Sequence, residues 1–110
     1  MEKERRSAPR ARVNLPARWQ GVVSREVATV TDLSRSGCFV LSGGRVAVKE
    51  LVSLEIDLPE QPRVHFWAEV VDAASEIGFA LKFNSSSAED AEMLAKFLES
   101  VFQSQAKKKS

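Results

Sequence analysis

The sequence has no tyrosine and only one histidine and one cysteine among its 110 residues. Cys38 cannot form an internal disulfide or a cysteine zinc site alone, so we expect a small buried residue, a reducing compartment and no metal. His65 alternates with apolar neighbours, which is typical of an outward strand residue rather than a catalytic base. This composition argues against an enzyme.

Long hydrophobic runs are also missing. No stretch approaches the roughly 18 apolar residues of a membrane span, and no apolar segment follows the charged N-terminus, so we expect a cytoplasmic protein without membrane insertion. Sixteen Lys and Arg against fifteen Asp and Glu give a net charge of +1, which supplies no overall field for DNA binding. At 44% hydrophobic and 28% charged residues, the chain has the composition of one globular domain.

Short segments with apolar residues at every second position predict six strands. Val52, Leu54, Ile56 and Leu58 give the clearest alternation. The predicted strands cover residues 13–23, 27–33, 38–41, 52–58, 64–70 and 77–83, with turn residues between them. Six strands at this spacing predict a closed barrel or a sandwich.

The period changes to that of an amphipathic helix near the C-terminus. Ser87 and Asp90 match a capping box, so we expect the helix at about residues 87–103. Residues 105–110 include Lys107–Lys109 and no large apolar side chain, which predicts a disordered tail.

The N-terminal segment carries the strongest local charge. The first twelve residues hold five Lys and Arg against two Glu. Pro9 and the lack of apolar periodicity predict a flexible basic arm over residues 1–11, followed by a folded unit over residues 12–104.

Two polar clusters suggest a shared ligand. The guanidinium forks of Arg6 and Arg10 match phosphate oxygens and the O6/N7 edge of guanine. The Asp32 carboxylate can accept hydrogen bonds from N1 and N2 of guanine. Ser34 can add a hydroxyl contact, and Gly37 can adopt a positive φ that lets backbone N–H groups approach the ligand. A phosphorylated guanine compound fits both clusters.

The second cluster also has a purely structural interpretation. Asp32 can form an Asx-turn, Ser34 is a common turn residue, and Gly37 can serve only for its backbone freedom. The residue types alone leave both interpretations open.

The motif Arg6-x-x-x-Arg10 followed by Asp32-x-Ser34-x-x-Gly37 resembles the paired signature of the PilZ domain family. The resemblance covers nearly the whole chain. It implies a mainly β fold, a six-stranded antiparallel β-barrel with one C-terminal α-helix, in agreement with the strand count. It also implies a receptor for cyclic di-GMP, a bacterial second messenger, without any cofactor. In this family pattern the two arginines contact phosphate and guanine, while Asp32, Ser34 and Gly37 line the barrel surface.

Arg5 precedes the first motif arginine. In the PilZ family an arginine at this position is associated with an intercalated dimer of cyclic di-GMP rather than a single molecule. A third guanidinium would offset part of the repulsion among four phosphates.

Two tryptophans are candidates for base stacking. The alternation of its strand directs Trp67 outward, so it is the better candidate than Trp19. An outward Trp67 can equally cover the barrel beneath the helix.

The expected mechanism is an ordering of the arm over the barrel around the ligand, which creates a surface for an unknown downstream protein. Two alternatives belong to other classes. One is a single-stranded nucleic-acid-binding barrel with Trp67 in a stacking platform, and the other is a ligand-free, PilZ-like protein-interaction domain.

Overall fold

The computed structural model describes residues 9–109, which contain six strands and one helix. Their bounds are β1 (Ala11–Gln20), β2 (Arg25–Leu33), β3 (Gly37–Leu41), β4 (Leu51–Ile56), β5 (Val64–Asp72), β6 (Gly78–Ser85) and α1 (Ala88–Lys109). All strand pairs are antiparallel, and the strands close in the order β1-β2-β3-β6-β5-β4. The predicted six-stranded barrel with a C-terminal helix is confirmed.

The barrel interior is filled by the apolar residues that alternate along the strands, as is typical of a small closed barrel. Val52, Leu54 and Ile56 of β4 are fully buried, as the alternation predicts. Trp19 is also in the core, where its ring meets Phe79 edge to face at 5.1 Å. Its indole N–H donates to the Ser42 hydroxyl over 2.9 Å, which satisfies the one polar atom of the buried ring.

Helix α1 begins where the capping pattern predicts. The Ser87 hydroxyl accepts the Asp90 N–H at 3.0 Å, and the Asp90 carboxylate accepts the His65 N–H at 2.9 Å. These bonds cap the helix and attach it to the start of β5. Leu94 and Leu98 then enter the barrel core, so α1 packs at the end of the barrel where β5 begins. We call this the helix end.

Two predicted boundaries differ most from the structure, at the end of α1 and the end of β1. Helix α1 continues to Lys109 instead of ending near residue 103, because residues 103–109 contain good helix formers and no Gly or Pro, and lysines suit a helix C-terminus. Strand β1 ends at Gln20, so Val22 and Val23 lie in a hairpin turn closed by a bond from Gly21 N–H to the Ser24 carbonyl at 2.8 Å. The helix within residues 9–109 is not apolar enough to cross a membrane.

Most of the predicted basic arm falls outside the described residues. At its C-terminal limit, Ala11 is buried and pairs with Leu33 as the first residue of β1.

Candidate functional site

A cavity of about 370 Å³ lies beside the turn between β2 and β3. It is lined by Arg10, Asp32, Leu33, Ser34, Ser36, Gly37, Cys38, Phe39, Val71, Ala80, Leu81 and Lys82. Four of the residues predicted to bind a ligand, Arg10, Asp32, Ser34 and Gly37, therefore share one cavity. We call it the turn cavity. Arg5 and Arg6 lie outside the described residues.

Strand pairing explains how the two halves of the motif meet. In the antiparallel ladder of β1 and β2, Ala11 pairs with Leu33 and Arg12 pairs with Asp32. The chain therefore enters β1 directly beside the point where β2 leaves the barrel. This places Arg10 next to the Asp32 end of β2, although the two are far apart in sequence.

Asp32 brings a half-buried carboxylate to the turn cavity. A register shift between Val30 and Asp32 interrupts the β2–β3 ladder, and such irregularities redirect side chains near binding sites. Across residues 9–109, the carboxylates that accept hydrogen bonds are those of Glu50, Glu55, Asp57, Asp72 and Asp90, not Asp32. The Asx-turn considered for Asp32 is therefore not formed, and no residue of this range occupies its carboxylate oxygens.

Ser34 is instead committed to the turn. It is 4% exposed, and its hydroxyl accepts the N–H groups of Ser36 at 3.1 Å and Gly37 at 3.2 Å. Its own N–H donates to the Gly37 carbonyl at 2.9 Å. These bonds satisfy a buried hydroxyl and close the β2–β3 connection, which is the structural role considered for Ser34.

Gly37 does not have the positive φ that the sequence suggested, so that expectation is wrong. A Cβ at this position would overlap the carbonyl oxygen of Leu81 on β6. Its N–H and carbonyl both bond to Ser34, so neither is directed to a ligand. Glycine is needed here because β3 and β6 approach closely.

Cavity residues of the neighbouring strands, chiefly Phe39 and Lys82, were not among the predicted site residues. Phe39 pairs with Asp32 on one side and with Ala80 on the other, so these three side chains share the outer face of the sheet. Lys82 pairs with Gly37. Alternation along β6 identifies Lys82 as outward-facing, but only the pairing of β3 with β6 brings it to the cavity.

Cys38 is buried, as predicted. Burial raises the pKa of the thiol far above its ordinary value, so the nucleophilic thiolate does not form near neutral pH. Cys38 is also one of the residues that line the cavity.

The two tryptophans and the histidine lie away from the turn cavity. Trp19 is in the core, and Trp67 is 45% exposed on the outer face of β5. Val71, about 13 Å further along β5, is the residue of that strand that lines the cavity.

His65 is half-buried on the same outer face of β5, as predicted, and its Nε2 lies 2.7 Å from the Ser53 hydroxyl. Asp90 bonds to the His65 backbone and not to its ring, so the three do not form a catalytic triad.

A second depression, of about 600 Å³, opens at the opposite end of the barrel. It is lined mainly by apolar loop residues, among them Val22, Val23 and Val48, and by none of the predicted ligand-binding residues. No group of three potential metal ligands occurs within residues 9–109.

Sequence comparison identifies a family. A sequence model described as the PilZ domain matches residues 4–100. No curated protein matches the chain significantly.

Solved structures of similar fold extend this finding. The Bacillus subtilis inhibitor of motility MotI/DgrA is 21% identical, with a TM-score of 0.74 over 94% of this chain and 52% of that one. Escherichia coli YcgR in complex with c-di-GMP is 16% identical, with a TM-score of 0.77 over 94% of this chain and 49% of that one. The separate PilZ domain of YcgR with c-di-GMP gives 14% identity and a TM-score of 0.72 over 94% of this chain and 96% of that one. The chain thus spans about half the length of the first two proteins, and at these identities the similarity establishes the fold.

Proposed function

The chain belongs to the PilZ domain family, and on this basis we propose that it is a receptor domain that binds cyclic di-GMP in the turn cavity. The observation that carries the proposal is the meeting of Arg10 with Asp32 in one cavity, where the Asp32 carboxylate bonds to no residue within 9–109. YcgR, a relative of the same fold, was solved as a complex with c-di-GMP. The proposed role is binding, without cofactor or catalysis.

The chemistry of the cavity suits a guanine nucleotide. The Asp32 carboxylate would accept hydrogen bonds from N1 and N2 of guanine. Adenine does not offer the same pattern of donors. The Arg10 guanidinium would donate to a phosphate or to O6 and N7. Phe39, beside Asp32 on the same sheet face, offers an aromatic surface against which the base can stack.

The N-terminal segment would complete the site. Arg6 stands four residues before Arg10 in the family pattern, and ligand binding would draw the segment over the cavity. The resulting change of surface would be recognised by a downstream protein in the cytoplasm, which makes the domain an effector.

Isothermal titration calorimetry with cyclic di-GMP, GTP and cyclic di-AMP tests this function. We expect saturable binding of cyclic di-GMP alone, because it is the only one of the three that combines guanine edges with paired phosphodiesters. Tighter binding of single-stranded oligonucleotides, with a steep salt dependence, would favour the nucleic-acid alternative instead. Absence of binding to any of these ligands would leave the ligand-free interaction domain.

Arg5 makes a specific prediction about stoichiometry. We expect two ligands per chain in the wild type and one in Arg5→Ala, because the variant lacks the third guanidinium that offsets phosphate repulsion. Calorimetry gives the ratio directly. Arg45→Ala, an exposed arginine in a loop at the opposite end of the barrel, removes the same charge and should keep two ligands. A ratio of one in the wild type would refute the intercalated dimer.

A further inference from the structure

Lys82 is a cation of the turn cavity that neither half of the sequence motif includes. Its side chain is exposed and lines the cavity from β6, whereas Arg10 lines it from the start of β1. The strands between them, β2 and β3, carry Asp32 and Phe39. The strands that carry the carboxylate and the aromatic ring therefore lie between two positive groups of the cavity, Arg10 on the β1 side and Lys82 on the β6 side.

The neighbours of Lys82 explain why it belongs to the cavity. On one side it pairs with Glu69 of β5, and on the other with Gly37 of β3. A lysine and a glutamate directly opposite each other commonly form a cross-strand ion pair, yet the ion pairs within residues 9–109 do not include this one. Glu69 does not line the cavity, and Lys82 does.

Gly37 gives Lys82 the space that this arrangement needs. Any other residue at position 37 would place a side chain beside Lys82 on the face that carries the cavity. Glycine leaves that position open, so the lysine stem can extend across β3 toward the β2–β3 turn. The glycine required by the close approach of β3 and β6 thus also leaves room for the lysine side chain in the cavity wall.

We infer that Lys82 is a further ligand-contacting residue, whose ammonium group binds a phosphodiester of the ligand opposite the one reached by Arg10. This inference rests on the proposed function, since cyclic di-GMP carries the two phosphodiesters. An ammonium group is a compact donor without the planar fork of arginine, so it suits a phosphate oxygen better than the paired acceptors of a base edge.

The affinity of the whole domain for cyclic di-GMP, measured by calorimetry, tests the role of Lys82. We expect Lys82→Ala to weaken binding about tenfold and Lys82→Glu to weaken it further, because one removes a charge-assisted contact and the other adds repulsion. Lys82→Arg should bind within about threefold of the wild type, since it keeps the charge.

Lys96→Ala is the matched control. Lys96 is an exposed helix residue that forms a surface pair with Glu92 at 3.9 Å and does not line the cavity. The Lys96→Ala variant loses the same charge as Lys82→Ala, so a general electrostatic effect would weaken the binding of cyclic di-GMP to both variants equally. The salt dependence of affinity should also be shallower in Lys82→Ala than in the wild type and Lys96→Ala, which a merely structural role would not produce.

The outcomes are distinguishable. If the wild type binds cyclic di-GMP and Lys82→Ala binds as well as Lys96→Ala, the role of Lys82 is refuted and the proposed function stands. If the wild type does not bind cyclic di-GMP, the proposed function and the role of Lys82 are both refuted. A lower melting temperature of Lys82→Ala with unchanged affinity would assign Lys82 to the fold alone.

Discussion

Replacing Asp32 with alanine is expected to weaken cyclic di-GMP binding by on the order of 1–3 kcal/mol, about 5- to 150-fold, without changing the melting temperature. The carboxylate lines the turn cavity, and its oxygens are bonded to no other residue of the described chain. Its loss therefore leaves the guanine N1 and N2 hydrogens without an acceptor but breaks no bond within residues 9–109. Calorimetry and thermal unfolding of the same sample measure both quantities.

Two further variants sharpen this result. Asp32→Asn keeps the shape of the side chain but replaces one acceptor oxygen with a donor, so it should bind nearly as weakly as Asp32→Ala. Asp57→Ala removes an equal charge from a carboxylate that is paired with Arg63, and should bind as the wild type does. A clear fall in melting temperature for Asp32→Ala with intact affinity would show that Asp32 supports the turn instead.

Replacing Gly37 with alanine is expected to destabilise the fold by about 2 kcal/mol or more. The new Cβ would overlap the Leu81 carbonyl oxygen, which belongs to the β3–β6 backbone and cannot rotate away. The strands must separate locally, which strains the ladder and the Ser34 turn that depends on it. A fall of about 10 °C in melting temperature is the corresponding expectation for a domain of this size.

Gly43→Ala is the control for Gly37→Ala. A Cβ at position 43 would meet no atom within 4 Å, so the free energy of unfolding should change by less than about 0.5 kcal/mol. Equal stability of Gly37→Ala and the wild type would show that β3 and β6 are not constrained by this contact. The glycine of the motif would then have to be explained by the ligand.

These two predictions divide the second half of the motif by role. Asp32 supplies a group that a ligand can use, while Ser34 and Gly37 bond to each other and build the turn that holds Asp32 in place. Turn residues and ligand-binding residues are adjacent in the sequence, so residue type cannot separate them. The hydrogen bonds of the Ser34 hydroxyl do separate them, because they show that this side chain stabilises the turn.

The strands could be predicted because each buries one face. The alternation of Val52, Leu54 and Ile56 identifies β4 and its inward side without any knowledge of neighbouring strands. Closure of the barrel follows less directly, since β3 pairs with β6 and β1 with β4 across long stretches of sequence. Local periodicity carries no information about such pairings.

Local composition also misplaced two segments. Val22 and Val23 have the composition of a strand, but Gly21 and Ser24 close a turn around them, and the Val22 N–H bonds to the Glu50 carboxylate at 2.6 Å. The last turns of α1 lack large apolar residues, and residues 103–105 are exposed, yet intrinsic helix propensity continues the helix. Tertiary contacts therefore determine the turn at Val22 and Val23, and backbone propensity determines the end of α1.

The candidate site was predictable in part. Arg10 and Asp32 were identified by the chemistry of their side chains, and the β1–β2 ladder brings them together. Lys82 was not, because an outward lysine on a strand is ordinary until the partner strand is known. Trp67 carried the right chemistry for stacking, but its place along β5 separates it from the turn cavity.

The most direct test of the central claim is a titration of the isotope-labelled domain with cyclic di-GMP, followed by amide NMR spectra. We expect the largest shifts at residues 32–39 and 80–82 around the turn cavity, and none at residues 22–23 and 45–50 at the opposite end of the barrel. Shifts confined to the opposite end, or no shifts at saturating ligand, would contradict binding of cyclic di-GMP in the turn cavity.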